Sequence, residues 1–179
     1  MHPADYFKFC PSCGFTALVI SSTRNPFYCT KCSFEYYFNP AVAAAAFILR
    51  ENGEVLFVER AREPARGKLG LPGGFIDLGE TAEEAVRREI LEEVGIKINE
   101  LNYLFSFPNS YEYHAVTYSV LDLFYLIRVK DNEQATALEE TSNVLWLPLK
   151  AVAEERLAFQ SIQKALKLLQ SSVYPRNGG

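Results

Sequence analysis

The chain has 179 residues, 49% of them hydrophobic, which is enough for one domain of ordinary size with its own core plus a small appendage. Its net charge of −4 argues against a general nucleic-acid-binding surface. No stretch approaches the roughly 18 consecutive apolar residues that a membrane-spanning helix requires, so we expect no membrane partner.

Four cysteines lie near the start of the chain, at Cys10, Cys13, Cys29 and Cys32, and the sequence contains no others. Their spacing, C-x2-C-x15-C-x2-C, is typical of a zinc ribbon. Two disulfides in a secreted domain are the alternative, but no apolar signal segment precedes the cysteines, which favours thiolates in a reducing cytosol. Four thiolates leave no open coordination position, so the sequence predicts a structural Zn²⁺ in a ribbon over residues 1–39 of a cytoplasmic protein.

Short strands and turns are predicted between the cysteines and residue 70. Asn39-Pro40 marks the boundary between the ribbon and a second domain. The uninterrupted apolar run from Ala41 to Leu49 predicts a buried strand, and Glu51-Asn52-Gly53 predicts a hairpin turn. The other elements predicted in this part are strands at 17–20 and 34–37 within the ribbon, a return strand at 54–59 and a loop at 67–70.

A helix is predicted between Thr81 and Gly95. Thr81 and Glu84 are spaced as a capping box at its start, and Gly95 suits the left-handed conformation that ends a helix. An apolar stripe at helical spacing predicts the core-facing side chains, which are Ala85, Val86, Ile90, Leu91 and Val94.

Three glutamates of this helix, Glu89, Glu92 and Glu93, stand at i, i+3 and i+4 and therefore share one face. Because like charges repel, either a cation offsets them or some of the carboxylates stay protonated. Hard carboxylate oxygens are suited to Mg²⁺ or Mn²⁺. An exposed charged helix without a metal is the alternative that this spacing alone would favour.

The rest of the chain predicts further strands and a closing helix. Strands rich in aromatic and branched residues are predicted at 101–107 and 118–130, with a short strand at 144–149. The tyrosine-rich segment 110–118 favours a β-hairpin surface over the lining of a pocket. A closing helix is indicated by Leu157, Ile162, Leu166 and Leu169. Strands on both sides of an acidic helix, followed by a terminal helix, indicate a layered α/β domain.

Residues Gly74 to Ile96 follow the pattern G-x5-E-x7-R-E-U-x-E-E-x-G-U, where U is a bulky aliphatic residue, and every fixed position is filled. In this pattern the chain resembles the Nudix hydrolases, which cut nucleoside diphosphates linked to another group. The resemblance implies an α/β/α sandwich with a mixed sheet, here over residues 40–175. It also implies a pyrophosphohydrolase that depends on Mg²⁺ or Mn²⁺.

The same resemblance implies roles for individual positions. It implies metal ligands at Glu89 and Glu93 through their carboxylates and at Gly73 through its backbone carbonyl. Glu92 would be a further ligand or a water-mediated one. Arg88 would hold the carboxylates in place by charge-assisted hydrogen bonds, and Glu80 would pair with this arginine. A plain i,i+4 pair of Arg88 with Glu92 is the alternative, and both arrangements can hold together.

A zinc ribbon directly before such a domain further resembles the NADH pyrophosphatase branch of the family. In that branch a metal ligand and candidate base stands six residues before a tryptophan, which implies Glu140 before Trp146. A solvated loop acid is the alternative for Glu140. Phe107 and Ser110 match the F-P-x-S end of the branch's nicotinamide motif, but the front half of that motif is absent, which leaves dinucleotide specificity open.

Two more residues are candidates for substrate contacts. The ring of Phe105 stands in the altered motif and could stack on a base, although core packing explains it equally well. Arg60 ends a predicted strand and could contact phosphate. The preferred interpretation is an enzyme acting on a nucleotide such as NADH, NAD⁺ or ADP-ribose. The alternative is a nucleotide-sensing module whose ribbon contacts another macromolecule, and the sequence also leaves a homodimer open.

Overall fold

The computed structural model describes residues 3–16, 26–114, 116–138 and 141–173. The strands within these ranges are β1 (Phe27–Tyr28), β2 (Glu35–Tyr36), β3 (Ala41–Arg50), β4 (Glu54–Arg60), β5 (Leu69–Gly70), β6 (Gly73–Phe75), β7 (Asn102–Tyr113), β8 (Val116–Val129) and β9 (Thr141–Pro148). The helices are α1 (Ala82–Val94) and α2 (Gln160–Val173), with short 3-10 helices at Pro3–Tyr6 and Glu154–Arg156. Neither α1 nor α2 has the length and apolar character needed to cross a membrane.

The chain divides into two compact units, one of Met1–Ala41 with Ser110–Ser119 and one of Val42–Asn109 with Val120–Gly179. In the first unit β1 and β2 form an antiparallel pair. Phe27 is buried there together with Cys10 and Cys29. Two compact units need not be two independently folding domains, so the predicted domain boundary between residues 39 and 40 stays a prediction.

One sheet carries seven of the strands. Its central order is β5, β4, β3, β8 and β7, while β6 pairs with β3 and β9 pairs with β4. The antiparallel β3–β6 register sets Ala44 opposite Gly74 and Ala45 opposite Gly73. The predicted α/β fold with a mixed sheet and covering helices is confirmed.

Alternate side chains of β3 pack into two separate hydrophobic cores. Phe47 belongs to the core that contains Leu166 of α2, whereas Ile48 belongs to the core that contains Ile90 of α1. Both faces of the strand are thus covered by apolar side chains. A strand covered on both faces has no solvated side to fill with polar residues, which explains its uninterrupted apolar run.

Both predicted ends of α1 are confirmed. The Thr81 hydroxyl accepts from the Glu84 N–H at 3.2 Å, and the Thr81 N–H donates to the Glu84 carboxylate at 2.8 Å. Gly95 has a φ of 73° and donates its N–H to the Leu91 carbonyl at 3.1 Å. The prediction that Leu91 faces the core is wrong, because its side chain is 45% exposed. It lies about 100° around the helix from the buried Ile90, outside the apolar stripe.

Other predicted elements are shifted at their ends. Leu69 and Gly70 pair with β4 and so form a strand where the sequence predicted a loop. The hairpin predicted over residues 110–118 is confirmed, with β7 extending to Tyr113 and a turn at His114. Leu157 is buried but lies before α2, which begins at Gln160. The strand predicted at 17–20 lies outside the described residues.

Candidate active site and metal centres

Two adjacent glycines have close neighbours, Gly73 against β3 and Gly74 against Glu89 of α1. Gly73 has a φ of 144°, and a Cβ on it would lie 2.5 Å from the Cα of Ala45 on the paired strand. A Cβ on Gly74 would lie 2.5 Å from the carboxylate carbon of Glu89. A side chain at Gly73 would meet the backbone of the paired strand, whereas a side chain at Gly74 would displace the Glu89 carboxylate.

Glu89 and Glu93 of α1 both reach this pair of glycines. The Glu89 carboxylate lies against Gly74, and the Glu93 Oε2 accepts a hydrogen bond from the Gly73 N–H at 3.0 Å. The two glutamates are one helical turn apart, which is why they point the same way. The structure thus brings together three of the predicted site residues, Gly73, Glu89 and Glu93. The predicted role of the Gly73 carbonyl as a metal ligand stays a prediction.

Arg88 lies at the centre of a network of carboxylates. Its Nε and one terminal nitrogen donate to the two oxygens of Glu80 at 2.9 and 3.0 Å. Its other terminal nitrogen donates to Glu89 at 2.7 Å and to Glu92 at 3.2 Å. The predicted pairing with Glu80 and the i,i+4 pair with Glu92 are therefore present together.

Glu80 and Glu89 of this network have opposite pKa shifts. Hydrogen bonds from Arg88 lower the pKa of Glu80, with a further contribution from the Asp77 N–H. Burial raises the pKa of Glu89, and it outweighs the lowering effect of the Arg88 hydrogen bond. Glu80 is thus favoured as an anion, whereas the charged form of Glu89 is penalised by desolvation. A cation beside Glu89 would offset that penalty.

The carboxylates of α1 are of the chemical type that binds a divalent cation. Arg88 takes one oxygen of Glu89 and one of Glu92, so the second oxygen of each has no hydrogen-bond donor among the described residues. Carboxylate oxygens are the ligands that Mg²⁺ and Mn²⁺ prefer. The three glutamates are not drawn together around one point, because Glu93 is bonded to the Gly73 N–H and the other two to Arg88.

The other predicted site residues have structural contacts of their own. The rings of Phe105 and Phe107 are half-buried and lie 6.0 and 6.4 Å from the ring of Phe124 in the core. Arg60 donates from Nε to the Pro64 carbonyl at 2.8 Å. The predicted Ser110 is exposed on β7. Phe105 and Phe107 thus pack against the core, and Arg60 bonds to a neighbouring loop. The substrate roles of these residues and of Ser110 stay predictions.

The predicted ligand Glu140 lies outside the described residues. Sequence reasoning missed two hydrogen bonds to glutamates at or just before the start of α1. The Asp77 N–H donates to Glu80 at 3.1 Å, and the Tyr125 hydroxyl donates to Glu83 at 3.0 Å. The first is a backbone contact and has no sequence signature. The second joins residues 42 positions apart, and no local pattern reports it.

The four cysteines form two knuckles with the same geometry. In the first, the Cys10 N–H donates to the Phe15 carbonyl at 2.7 Å and the Gly14 N–H donates to the Cys10 carbonyl at 2.9 Å. In the second, Cys29 makes the same two bonds with Phe34 and Ser33, at 2.8 and 2.9 Å. Gly14 and Ser33 both adopt a positive φ, at 69° and 59°. A tight turn with a positive φ therefore follows each cysteine pair.

The sulfur positions fit a tetrahedral zinc site. All four Sγ atoms lie within 4.8 Å of one another, with Cys10 and Cys32 at 3.6 Å and Cys13 and Cys29 at 3.7 Å. A tetrahedron with Zn–S bonds of about 2.3 Å has edges of about 3.8 Å. These separations are too long for disulfides, and the cysteines are free thiols. The clustered cysteines therefore fit the predicted zinc ribbon.

Most of the chain matches a known family of domains. Residues 39–169 match the NUDIX domain. The NAD-capped RNA hydrolase NudC of Chromobacterium violaceum is 37% identical over 107 residues, covering 58% of this chain and 39% of the relative. The ADP-ribose pyrophosphatase of Methanocaldococcus jannaschii is 42% identical over 78 residues, covering 42% of this chain and 46% of the relative. The chain thus spans less than half the length of these two relatives.

Solved structures agree with the fold. The MutT NUDIX hydrolase of Burkholderia pseudomallei superimposes with a TM-score of 0.63 at 28% identity, covering 72% of this chain and 97% of that one. The match to the NUDIX domain covers most of the chain and includes α1 with its glutamates. The chain therefore belongs to the Nudix family.

Proposed function

We propose that the protein is a Mg²⁺- or Mn²⁺-dependent pyrophosphohydrolase that cleaves the P–O–P bridge of nucleoside diphosphate-linked compounds. The observation that carries this proposal is the position of Glu89 and Glu93 against Gly73 and Gly74, with Arg88 donating a hydrogen bond to Glu89. Two carboxylates are thus held beside the glycine backbone of β6.

In the proposed reaction, the oxygen of a water molecule forms a bond to one phosphorus of the bridge. The bond between that phosphorus and the bridging oxygen breaks, and the bridging oxygen leaves with the second phosphate. The products are a nucleoside monophosphate and the phosphate compound that was linked to it. A bound Mg²⁺ or Mn²⁺ would neutralise and orient the diphosphate and lower the pKa of the attacking water.

The side chains have separate tasks in this proposal. Glu89 and Glu93 hold the cation, with Glu92 and the Gly73 carbonyl as further ligands. Arg88 contacts neither metal nor substrate and keeps the carboxylates in their positions through its hydrogen bonds. Glu140 is the remaining proposed ligand, or the base that accepts the proton of the attacking water.

The proposed substrates are NADH, NAD⁺ and ADP-ribose. One relative is named for hydrolysis of NAD-capped RNA and the other for ADP-ribose, and both substrates contain an adenosine diphosphate linked to a second group. We place Phe105, Phe107, Ser110 and Arg60 at the substrate on the sequence resemblance. Phe105 and Phe107 are half-buried, so part of each residue remains accessible to solvent.

The cysteine cluster is proposed to hold a structural Zn²⁺ in a ribbon over residues 1–39, followed by the hydrolase domain over residues 40–175. Four thiolates fill a tetrahedral zinc and leave no position for substrate. Reduced thiols at this site are consistent with a cytoplasmic protein. A homodimer stays a prediction that mass measurement in solution tests.

The test is hydrolysis of a panel of NADH, NAD⁺, ADP-ribose and nucleoside triphosphates, with product identification, in Mg²⁺ or Mn²⁺ and again in excess EDTA. We expect metal-dependent release of a nucleoside monophosphate. Glu93→Gln should lose most turnover while remaining folded. Glu100→Gln makes the same chemical change at an exposed position outside α1 and should retain wild-type turnover.

Two results would reject the proposal. Wild-type turnover by folded Glu93→Gln in excess Mg²⁺ would remove the assigned role of this glutamate. Tight nucleotide binding with no product under either metal would instead support the nucleotide-sensing module.

A further inference from the structure

The segment before β9 is bonded to the end of α1. The Thr136 N–H donates to the Val94 carbonyl at 3.1 Å, and the Leu138 N–H donates to the Glu93 carbonyl at 2.9 Å. The last carbonyls of a helix have no partner within the helix itself. Residues 136–138 together with Thr141, here named the tether, supply those partners.

Thr141 closes the tether. Its N–H donates to the Leu138 carbonyl at 3.1 Å. Its hydroxyl lies 2.7 Å from the same carbonyl and 3.3 Å from the carbonyl of Glu93. A hydroxyl has one proton, so the shorter bond to Leu138 is the main one and the contact with Glu93 is secondary. Leu138 is thereby fixed from both sides, through its N–H on Glu93 and its carbonyl on Thr141.

We propose that Thr141 is a positioning residue for Glu93, and this inference rests on the proposed function. The tether holds the backbone carbonyl of Glu93, while the carboxylate of the same residue reaches the Gly73 N–H at 3.0 Å. Helix ends fray when their last carbonyls lack partners. Loss of the Thr141 hydroxyl therefore loosens the last turn of α1 and with it the Glu93 carboxylate.

The experiment compares three variants by their binding of Mn²⁺, measured by calorimetry on the full-length, zinc-loaded protein. Thr141→Val keeps the shape of the side chain but removes the hydroxyl, and Thr141→Ser keeps the hydroxyl. Ser142→Ala is the matched control, because it removes the adjacent hydroxyl, which donates to the Glu59 carbonyl and not to α1. We expect roughly tenfold weaker Mn²⁺ binding for Thr141→Val, as for other partners that support a metal ligand.

Thr141→Ser and Ser142→Ala should bind Mn²⁺ within about twofold of wild type, on the same reasoning. Unchanged binding by Thr141→Val overturns the inference. An equal loss in Ser142→Ala also overturns it, because the effect would then be a general loosening of β9.

A measurement on the wild type keeps the test decisive even where Thr141→Val does not fold. The amide protons of Thr136 and Leu138 should be protected from hydrogen exchange, and exchange at the rate of an open loop overturns the inference. The nucleotide panel separates this result from the proposed function. If the wild type hydrolyses a nucleotide and Thr141→Val binds Mn²⁺ as well as the wild type does, the role of the tether alone is rejected. If Thr141→Val binds Mn²⁺ more weakly and the wild type hydrolyses no nucleotide, the proposed function alone is rejected.

Discussion

The pairing of Arg88 with Glu80 can be measured by a double-mutant cycle. The variants are Arg88→Met, Glu80→Gln and the combination of both. Two parallel hydrogen bonds of 2.9 and 3.0 Å join the guanidinium to the carboxylate, and the side chains are 29% and 15% exposed. Exposed pairs contribute about 0.2–1 kcal/mol, and hydrogen bonds to charged groups about 1.5–3 kcal/mol. With partial solvent screening, we expect a coupling free energy of about 1–2 kcal/mol for this pair.

Urea unfolding at pH 7 without added divalent cations is the assay. The chain has one tryptophan, Trp146 on β9, so its fluorescence reports unfolding of the sheet that carries the site. Because Arg88 lowers the pKa of Glu80, the coupling should be fully present above the ordinary pKa of a glutamate and disappear as the pH falls through the lowered value. A coupling below about 0.5 kcal/mol at pH 7 is indistinguishable from additivity and would refute this account of Arg88.

Three further changes test the rest of the site. Gly74→Ala places a Cβ 2.5 Å from the Glu89 carboxylate carbon and should weaken Mn²⁺ binding about tenfold or more. Gly70→Ala is the control, because its Cβ meets nothing closer than 3.5 Å and Mn²⁺ binding should be unchanged. Equal Mn²⁺ affinities of the two variants in calorimetry would contradict this prediction. Burial raises the pKa of Glu89 and penalises its anion, so Glu89→Gln without divalent cations should have a higher melting temperature than the wild type at neutral pH. This gain in melting temperature should vanish as the pH falls below the ordinary glutamate pKa. An unchanged melting temperature at pH 7 would contradict the prediction. Cys13→Ser should lose the bound zinc that elemental analysis detects in the wild type, and undiminished zinc content would contradict the ribbon.

The parts of the fold that sequence predicted best are those in which one local rule decides the outcome. The capping box at Thr81 and the left-handed Gly95 set both ends of α1 through contacts within a few residues. The apolar run of β3 identified a strand covered on both faces. In each case the residues that carry the signal are neighbours in the sequence, so the structure has little freedom to depart from it.

The parts that sequence did not predict depend on contacts between distant residues or on backbone atoms. The glycines before α1 are visible as a pattern, but the hydrogen bond from the Gly73 N–H to Glu93 is not, because any residue other than proline offers an N–H. Leu91 fits a list of apolar residues at helical spacing, yet its angular position leaves it exposed. The strand pairing of Leu69 with Glu59 likewise depends on the path of a loop that no local signal fixes.

The glutamates of α1 and the one just before it have two different environments, which the sequence pattern alone does not separate. Glu80 and Glu92 both bond to Arg88, whose guanidinium offsets part of their charge. Glu89 and Glu93 instead lie against backbone, and burial penalises the anion of Glu89 despite its own bond to Arg88. Because one guanidinium cannot neutralise several carboxylates, uncompensated negative charge remains near Glu89, whose anion is penalised by burial. A divalent cation at Glu89 would relieve that cost, which links the stability of the helix directly to the chemistry proposed for it.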